Sequence, residues 1–297
     1  MEFSALTLDC IDSLRPFFLE NERRICDCTV GGTFMWRDMF KTRYAVQDGI
    51  LYLKAEYLPG DAAFAPPRGD GAGEKGAYEA ILDHCRDSGI AARLCAVPGD
   101  LLALVTDMFP GARARTDRSW SDYLYDSEDI RTLAGRRYSG QRNHINKFRR
   151  LYPDWSFGAV TGDDLGQVRE FFVRYSAEHI KDYPAYNEGN VKTIELIDNF
   201  GRYGQLGGVL RAGGEIVGAS FGEIVGDTLF VHVEKANTDY PGAYPMLVNR
   251  FAAAFAGGGV MYINREEDDG VEGLRVSKLS YHPVRLLDKY VVELDAR

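Results

Sequence analysis

A chain of 297 residues with 45% apolar and 12% aromatic side chains is long for one compact core and comfortable for two, and it has too much to bury to be disordered. The formal charge is −9, from 44 acidic residues against 35 Lys and Arg. The start, MEFSALTLDCIDSLRPFF, carries acids where an export signal has a basic flank. The apolar run FAAAFAGGGVMYI (251–263) is too short to span a bilayer and is broken by glycines. The expectation is a soluble, cytoplasmic protein with no transmembrane segment.

Five cysteines, Cys10, Cys26, Cys28, Cys85 and Cys95, fall in the first third without a C-x-x-C pair. An odd count and no export signal predict free thiols and no metal site. In chain order, CIDSLRPFFLEN (10–21) reads as a helix after a short strand. YAVQDGILYLKAEYL (44–58) reads as a hairpin turning at Asp48-Gly49. PPRGDGAGEKG (66–76) is a loop by composition, and GAYEAILDHCRDSG (76–89) and GDLLALVTDMFPG (99–111) are helices closed by Gly or Pro-Gly. Strand-like aromatics in SWSDYLYDSEDIRTL (119–133) run up to a basic segment, and a domain boundary is placed near residue 125.

Beyond it, DDLGQVREFFVRYSAEHI (163–180) reads as a helix. Residues 204–237 read as an antiparallel meander turning at Gly213-Gly214 and Gly226-Asp227. A helix (245–256), a strand (259–264), a helix (271–279) and a last strand (288–294) follow. The order predicts an α/β (α+β) chain with mixed, mostly antiparallel sheets flanked by helices.

Three blocks carry candidate chemistry. From Arg131 to Arg150 the chain places seven of its Lys and Arg residues and no acid. Within GRRYSGQRNHINKFRRLYPDW (135–155), Tyr138, Ile145, Phe148 and Tyr152 recur at helical spacing and leave Arg142, Lys147, Arg149 and Arg150 on the flanks. Such a run is either a solvated face or an anion site that offers guanidinium forks to phosphate. Neutral hydrogen-bonding residues among the charges, Asn143, His144 and Asn146, favour the anion site, with Arg137 beside it.

In FVHVEKANTDYPGAYPMLVN (230–249), Glu234 ends a strand and leads through Lys235 and Asn237 to a turn at Pro241-Gly242 and a helix. Glu234 there is a general base or simply an ion-pair partner, and the helix start is a place for a phosphate or an oxyanion. In MYINREEDDGVEGLRVSKLSYHPVRLL (261–287), Asn264, Arg265, Glu266, Glu267, Asp268 and Asp269 follow a strand and suit an ammonium group; calcium-loop spacing is not met. Lys278, Tyr281 and His282 lie close together, and Pro283 is expected to hold His282 extended. There is no G-x-x-x-x-G-K-[ST] or H-E-x-x-H.

Together RRYSGQRNHINKFRRLYPDW, HVEKANTDYPGAYPMLVN and YINREEDDGVEGLRVSKLSYHP resemble the family built on the C-terminal domain of phosphatidylglycerol lysyltransferase. The resemblance implies two GNAT-like domains in tandem, taken as residues 1–125 (degenerate) and 126–297 (site-bearing), related to Fem-type enzymes that use aminoacyl-tRNA. It implies a glycerol-hydroxyl acceptor and an acidic motif at Glu234, Lys235 and Asn237, although this chain lacks a multi-span membrane portion. The leading expectation is an aminoacyl-tRNA-dependent transferase acting on a lipid hydroxyl or an amine. In it the basic helix holds tRNA phosphate, Glu266 and Glu267 attract the aminoacyl ammonium, Glu234 and His282 are catalytic, and no cofactor is needed. A CoA-dependent N-acyltransferase, whose usual glycine signature is missing, and a non-catalytic binding module remain open.

Overall fold

The computed structural model describes residues 1–19, 23–58, 61–179 and 184–294. The predicted helix ends at 20–21 and at Ile180 lie outside them. Fourteen strands are set, in chain order, as β1 (Ser4–Ala5), β2 (Arg43–Gln47), β3 (Ile50–Leu58), β4 (Asp61–Phe64), β5 (Arg93–Pro98), β6 (Arg113–Thr116), β7 (Asp122–Asp126), β8 (Ser156–Ala159), β9 (Leu206–Ala212), β10 (Glu215–Val225), β11 (Thr228–Ala236), β12 (Tyr262–Asn264), β13 (Arg285–Leu287) and β14 (Lys289–Glu293). They form two mixed seven-stranded sheets, ordered β1-β2-β3-β4-β5-β14-β6 and β13-β7-β12-β11-β10-β9-β8.

Two compact units follow. One comprises Met1–Asp122 with Glu267–Gly270 and Leu287–Arg297, the other Tyr123–Glu266 with Val271–Leu286. The sequence expectation of one cut near 125 differs from this in a specific way. The last strand is present as predicted, but β14 pairs antiparallel with β5 and β6 in the first sheet. Alternating apolar residues announce a strand, whereas its neighbours are chosen by tertiary packing.

In the first unit, the β2–β3 hairpin turns as expected. Asp48 (φ 53°) and Gly49 (φ 77°) take the left-handed pair that matches strand twist, in register Gln47 opposite Ile50. The helix Lys75–Ser88 buries Ala77, Tyr78, Ile81 and Cys85 on one stripe and ends at left-handed Gly89. The segment 10–18 is a succession of short turns, Ile11–Leu14 followed by the 3-10 turn Arg15–Phe18, not one helix. Pro16 has no N–H to give a helix interior and its ring crowds the preceding turn. All five cysteines are free thiols.

In the second unit, β9, β10 and β11 form the predicted antiparallel meander. β12 then pairs parallel to β11, but only from Thr228–Tyr262 to Phe230–Asn264. Beyond that point β11 continues to Ala236 with no ladder to β12.

The basic helix Ser139–Leu151 buries Ile145 and Phe148 in a core shared with Met246, Leu247 and Phe251 of the helix Ala243–Phe255. Gly242, at φ 92°, starts that second helix. A Cβ built on it would lie 2.3 Å from the His144 carbonyl oxygen and 3.0 Å from Phe148 Cβ. Gly242→Ala is therefore expected to destabilise the protein by about 1–3 kcal/mol, through strain at positive φ plus overpacking. Gly166→Ala, in a helix with nothing within 4 Å of the added atom, should be neutral or stabilising by up to about 1 kcal/mol. Urea denaturation of the two variants in parallel checks the contrast.

Candidate functional site

Where β11 outruns β12, a pocket of about 270 Å³ opens in the second unit. Gly140, Gln141 and His144 of the basic helix form one wall. Glu234 of β11, Tyr244, Pro245 and Val248 of the next helix, and Arg265, Ser277, Ser280 and Tyr281 complete it. Glu234 ends a strand, His144 lies on a helix flank and Arg265 directly follows β12. Three distant segments therefore converge only because the parallel ladder stops at Asn264.

Across the gap, Arg265 Nη2 donates to Glu234 Oε1 at 2.6 Å, with both side chains largely buried. The guanidinium also stacks over Tyr281, 4.8 Å from the ring centroid, and faces Tyr125 at 5.6 Å. Burial works against its charge, but Glu234 beside it raises the pKa further above the usual arginine range. Arg265 Nη1 is buried and has no hydrogen-bond partner. The pocket wall thus contains an ion pair with a donor left over.

The structure brings only part of the predicted set to this pocket. Glu234, His144, Arg265 and Tyr281 line it, the last buried under the guanidinium. Asn264 is fully buried and its Oδ1 accepts from the Glu266 N–H at 2.6 Å, which helps hold Glu266 at φ 56°. Lys278 is buried as well, donating to the Arg265 carbonyl at 2.5 Å and lying over the Tyr123 ring. Both frame the pocket without lining it. Asn237 caps the turn into the helix Ala243–Phe255 by accepting from Asp239 N–H, and Lys235 lies over the Tyr186 ring, 4.5 Å from its centroid. The Ala243 N–H, expected to be available at the helix start, is bound to the Tyr240 carbonyl.

On the basic helix, Arg142 donates to the Leu133 and Gly135 carbonyls, and Arg137 pairs with Asp129 and stacks over Tyr138. These two guanidiniums close the turn before the helix. Asn143, Lys147 and Arg150 are exposed, and Arg149 lies over Trp155. His282 is exposed, does not line the pocket, and is left-handed (φ 53°) where extended backbone was expected. Its N–H closes the turn after the helix Glu272–Leu279 by donating to the Leu279 carbonyl, and that turn overrides the preference imposed by Pro283.

The adjacent acids Glu266 and Glu267, expected to act together on an ammonium group, go to different cations. Glu266 meets His232, which sequence reading passed over as a strand residue. His232 Nδ1 donates to Glu266 Oε1 at 2.8 Å and Nε2 to Glu223 Oε1 at 2.9 Å, and Gln205 Nε2 donates to the same Glu223 oxygen at 3.1 Å. Burial pulls the imidazole pKa down, but the hydrogen bonds and charges of Glu223 and Glu266 outweigh it and raise it to about 10. His232 is an imidazolium at neutral pH and cannot act as a base. Period-2 alternation gave no signal for it, because the β10–β11 register shifts between Phe221 and Gly222 and leaves His232 as the extra residue of β11.

Glu267 belongs to the first unit, where Lys289 Nζ lies 3.1 Å from it, 2.8 Å from Asp27 and 2.9 Å from Asp122. Cys26 Sγ, Asp122 and Glu267 offer ligand atoms within 4.8 Å of one another, a spacing that a metal ion can bridge. The Lys289 ammonium lies among those atoms and supplies the cation itself. Burial pushes Asp122 up, against the pull of Lys289, to about 7.

Two mixed seven-stranded sheets with flanking helices, one of them with a parallel ladder that ends early, define an α+β fold. The structure superposes on a FemX crystal structure with a TM-score of 0.61 over 99% of this chain and 98% of that one, at 9% identity. It superposes with a TM-score of 0.90 on a conserved protein of unknown function from Bacteroides thetaiotaomicron VPI-5482, 31% identical over 99% of this chain and 100% of that one. The C-terminal domain of a proposed lysylphosphatidylglycerol synthetase from Agrobacterium fabrum gives a TM-score of 0.71 at 14% identity, over 97% and 92% of the two chains.

Over residues 20–293 the sequence matches the C-terminal domain of phosphatidylglycerol lysyltransferase, and the chain belongs to that family. A curated relative, an uncharacterized protein of Mycoplasmoides gallisepticum, is 24% identical over 178 residues, which take in 59% of this chain and 57% of the relative's length. Among the described residues no helix is long and apolar enough to cross a membrane.

Proposed function

We propose that this chain transfers an aminoacyl group from aminoacyl-tRNA to a hydroxyl or amine acceptor, with the lipid hydroxyl of its family as the first acceptor to test. The supporting observation is that His144 and Gln141 of the basic helix and Glu234 of β11 line one pocket. One side of the basic helix and the Glu234 carboxylate thereby face the same space. In this reading Lys147, Arg149 and Arg150 meet tRNA phosphates on the outer flank, and the acyl ester enters the pocket. Glu234, oriented by Arg265, takes the proton of the attacking hydroxyl or amine. The new C–O or C–N bond forms as the ester bond to the ribose breaks, and the ribose oxygen leaves with a proton.

The test is tRNA binding by fluorescence anisotropy across a salt series, with Lys147, Arg149 and Arg150 replaced together by Gln. Arg142 stays, because it holds two backbone carbonyls. Each phosphate that the variant no longer neutralises should flatten the log–log salt slope by about 0.7–0.9. Glu234→Gln should keep tRNA binding and lower transfer of a radiolabelled amino acid to phosphatidylglycerol vesicles by a factor of about 100 or more. An unchanged slope in the triple variant would reduce the basic helix to a solvated face. Competition of the tRNA signal by free CoA would move the reading to CoA-dependent acyl transfer.

A further inference from the structure

We infer, building on the transferase reading above, that the pocket at Glu234 and Arg265 takes an amino acid whose side chain is uncharged. Among the described residues, Glu234 and Arg265 are the only Asp, Glu, Lys or Arg that line it, and they are bound to each other at 2.6 Å. Their charges cancel at that distance. An entering ammonium or guanidinium would leave water and meet a guanidinium as close as the carboxylate.

The rest of the wall, Gln141, Tyr244, Val248, Ser277, Ser280 and Tyr281, provides hydroxyls, an amide and apolar surface, which suit neutral groups. The unsatisfied hydrogen-bonding capacity points the same way. The Arg265 guanidinium already carries a buried donor without an acceptor, Nη1, so a further cationic donor beside it has no acceptor to gain there. The acids that could have drawn a basic side chain are engaged elsewhere, Glu266 by His232 and Glu267 by Lys289.

The probes are 3′-aminoacylamino-3′-deoxyadenosines, amide-linked copies of the charged tRNA terminus that cannot hydrolyse, carrying alanine, serine, glutamine, lysine or arginine. Binding to the full chain is measured by isothermal titration calorimetry. The neutral compounds should bind about tenfold or more tighter than the lysyl and arginyl ones. Ser277→Asp, at an exposed position on the wall, adds an unpaired carboxylate and should shift the lysyl-to-alanyl affinity ratio about fivefold or more toward lysyl.

Lysyl or arginyl compounds that bind as tightly as the neutral ones to the wild-type chain would overturn the inference and leave the transferase reading intact. So would an unmoved ratio in Ser277→Asp. If none of the five compounds binds, the inference falls together with the donor assignment on which it rests.

Discussion

Replacing His232 by leucine will destabilise the second unit by about 3–5 kcal/mol at pH 7, the cost of leaving two buried carboxylates without the cation between them. The imidazole is almost fully enclosed, with Glu223 and Glu266 on its two nitrogens. Removing it exposes each carboxylate to the other's charge where little water reaches to screen them. Adding Glu223→Gln and Glu266→Gln to His232→Leu should recover most of the loss, since no buried charge then remains.

The sign of the pH dependence follows from the raised pKa. His232 ionises at about 6.5 in the unfolded chain and at about 10 in the folded one, so its contribution is fully present below pH 6.5 and disappears as the pH rises through 10. Wild type should therefore lose protection of the β11 amides, measured by hydrogen exchange and mass spectrometry, between pH 7 and 10. The triple variant should not. Equal stability of wild type and His232→Leu at pH 7 would mean that this cluster carries no net ion pairing.

Lys289→Met is the second large loss, about 3–5 kcal/mol in the first unit, because buried Asp122 and the partly buried Asp27 and Glu267 would then share a site without a cation. Here pH acts in the opposite direction from ordinary acid denaturation. The folded pKa of Asp122 is raised to about 7, so the stability linked to its proton is present in acid and is lost as the pH rises through 7. Without Lys289 the carboxylates bind protons still more readily, and the variant's deficit should be smaller at pH 5 than at pH 8. Guanidinium denaturation at both pH values reads this difference. A deficit equal at the two pH values, or larger at pH 5, would show that the ammonium is not the counter-ion of this cluster.

Local periodicity determined a good deal of this protein. The Asp48-Gly49 hairpin, the β9–β10–β11 meander, and the stripe of Ile145 and Phe148 that makes 139–151 a one-faced basic helix are all written in residues within a few positions of one another. Each is set by period 2, period 3.6 or a turn that requires positive φ.

Side-chain partnerships were not legible, because they join residues far apart in the chain. Arg265 reaches Glu234 because the β11–β12 ladder ends at Asn264. Arg142 points at the carbonyls of the preceding turn and not outward. The neighbours Glu266 and Glu267 are claimed by His232 and by Lys289 of the last strand. A run of like charges in sequence says nothing about which cation each will meet. Burial decides that, since a charge taken from water must find its counter-charge wherever the packed chain has placed one.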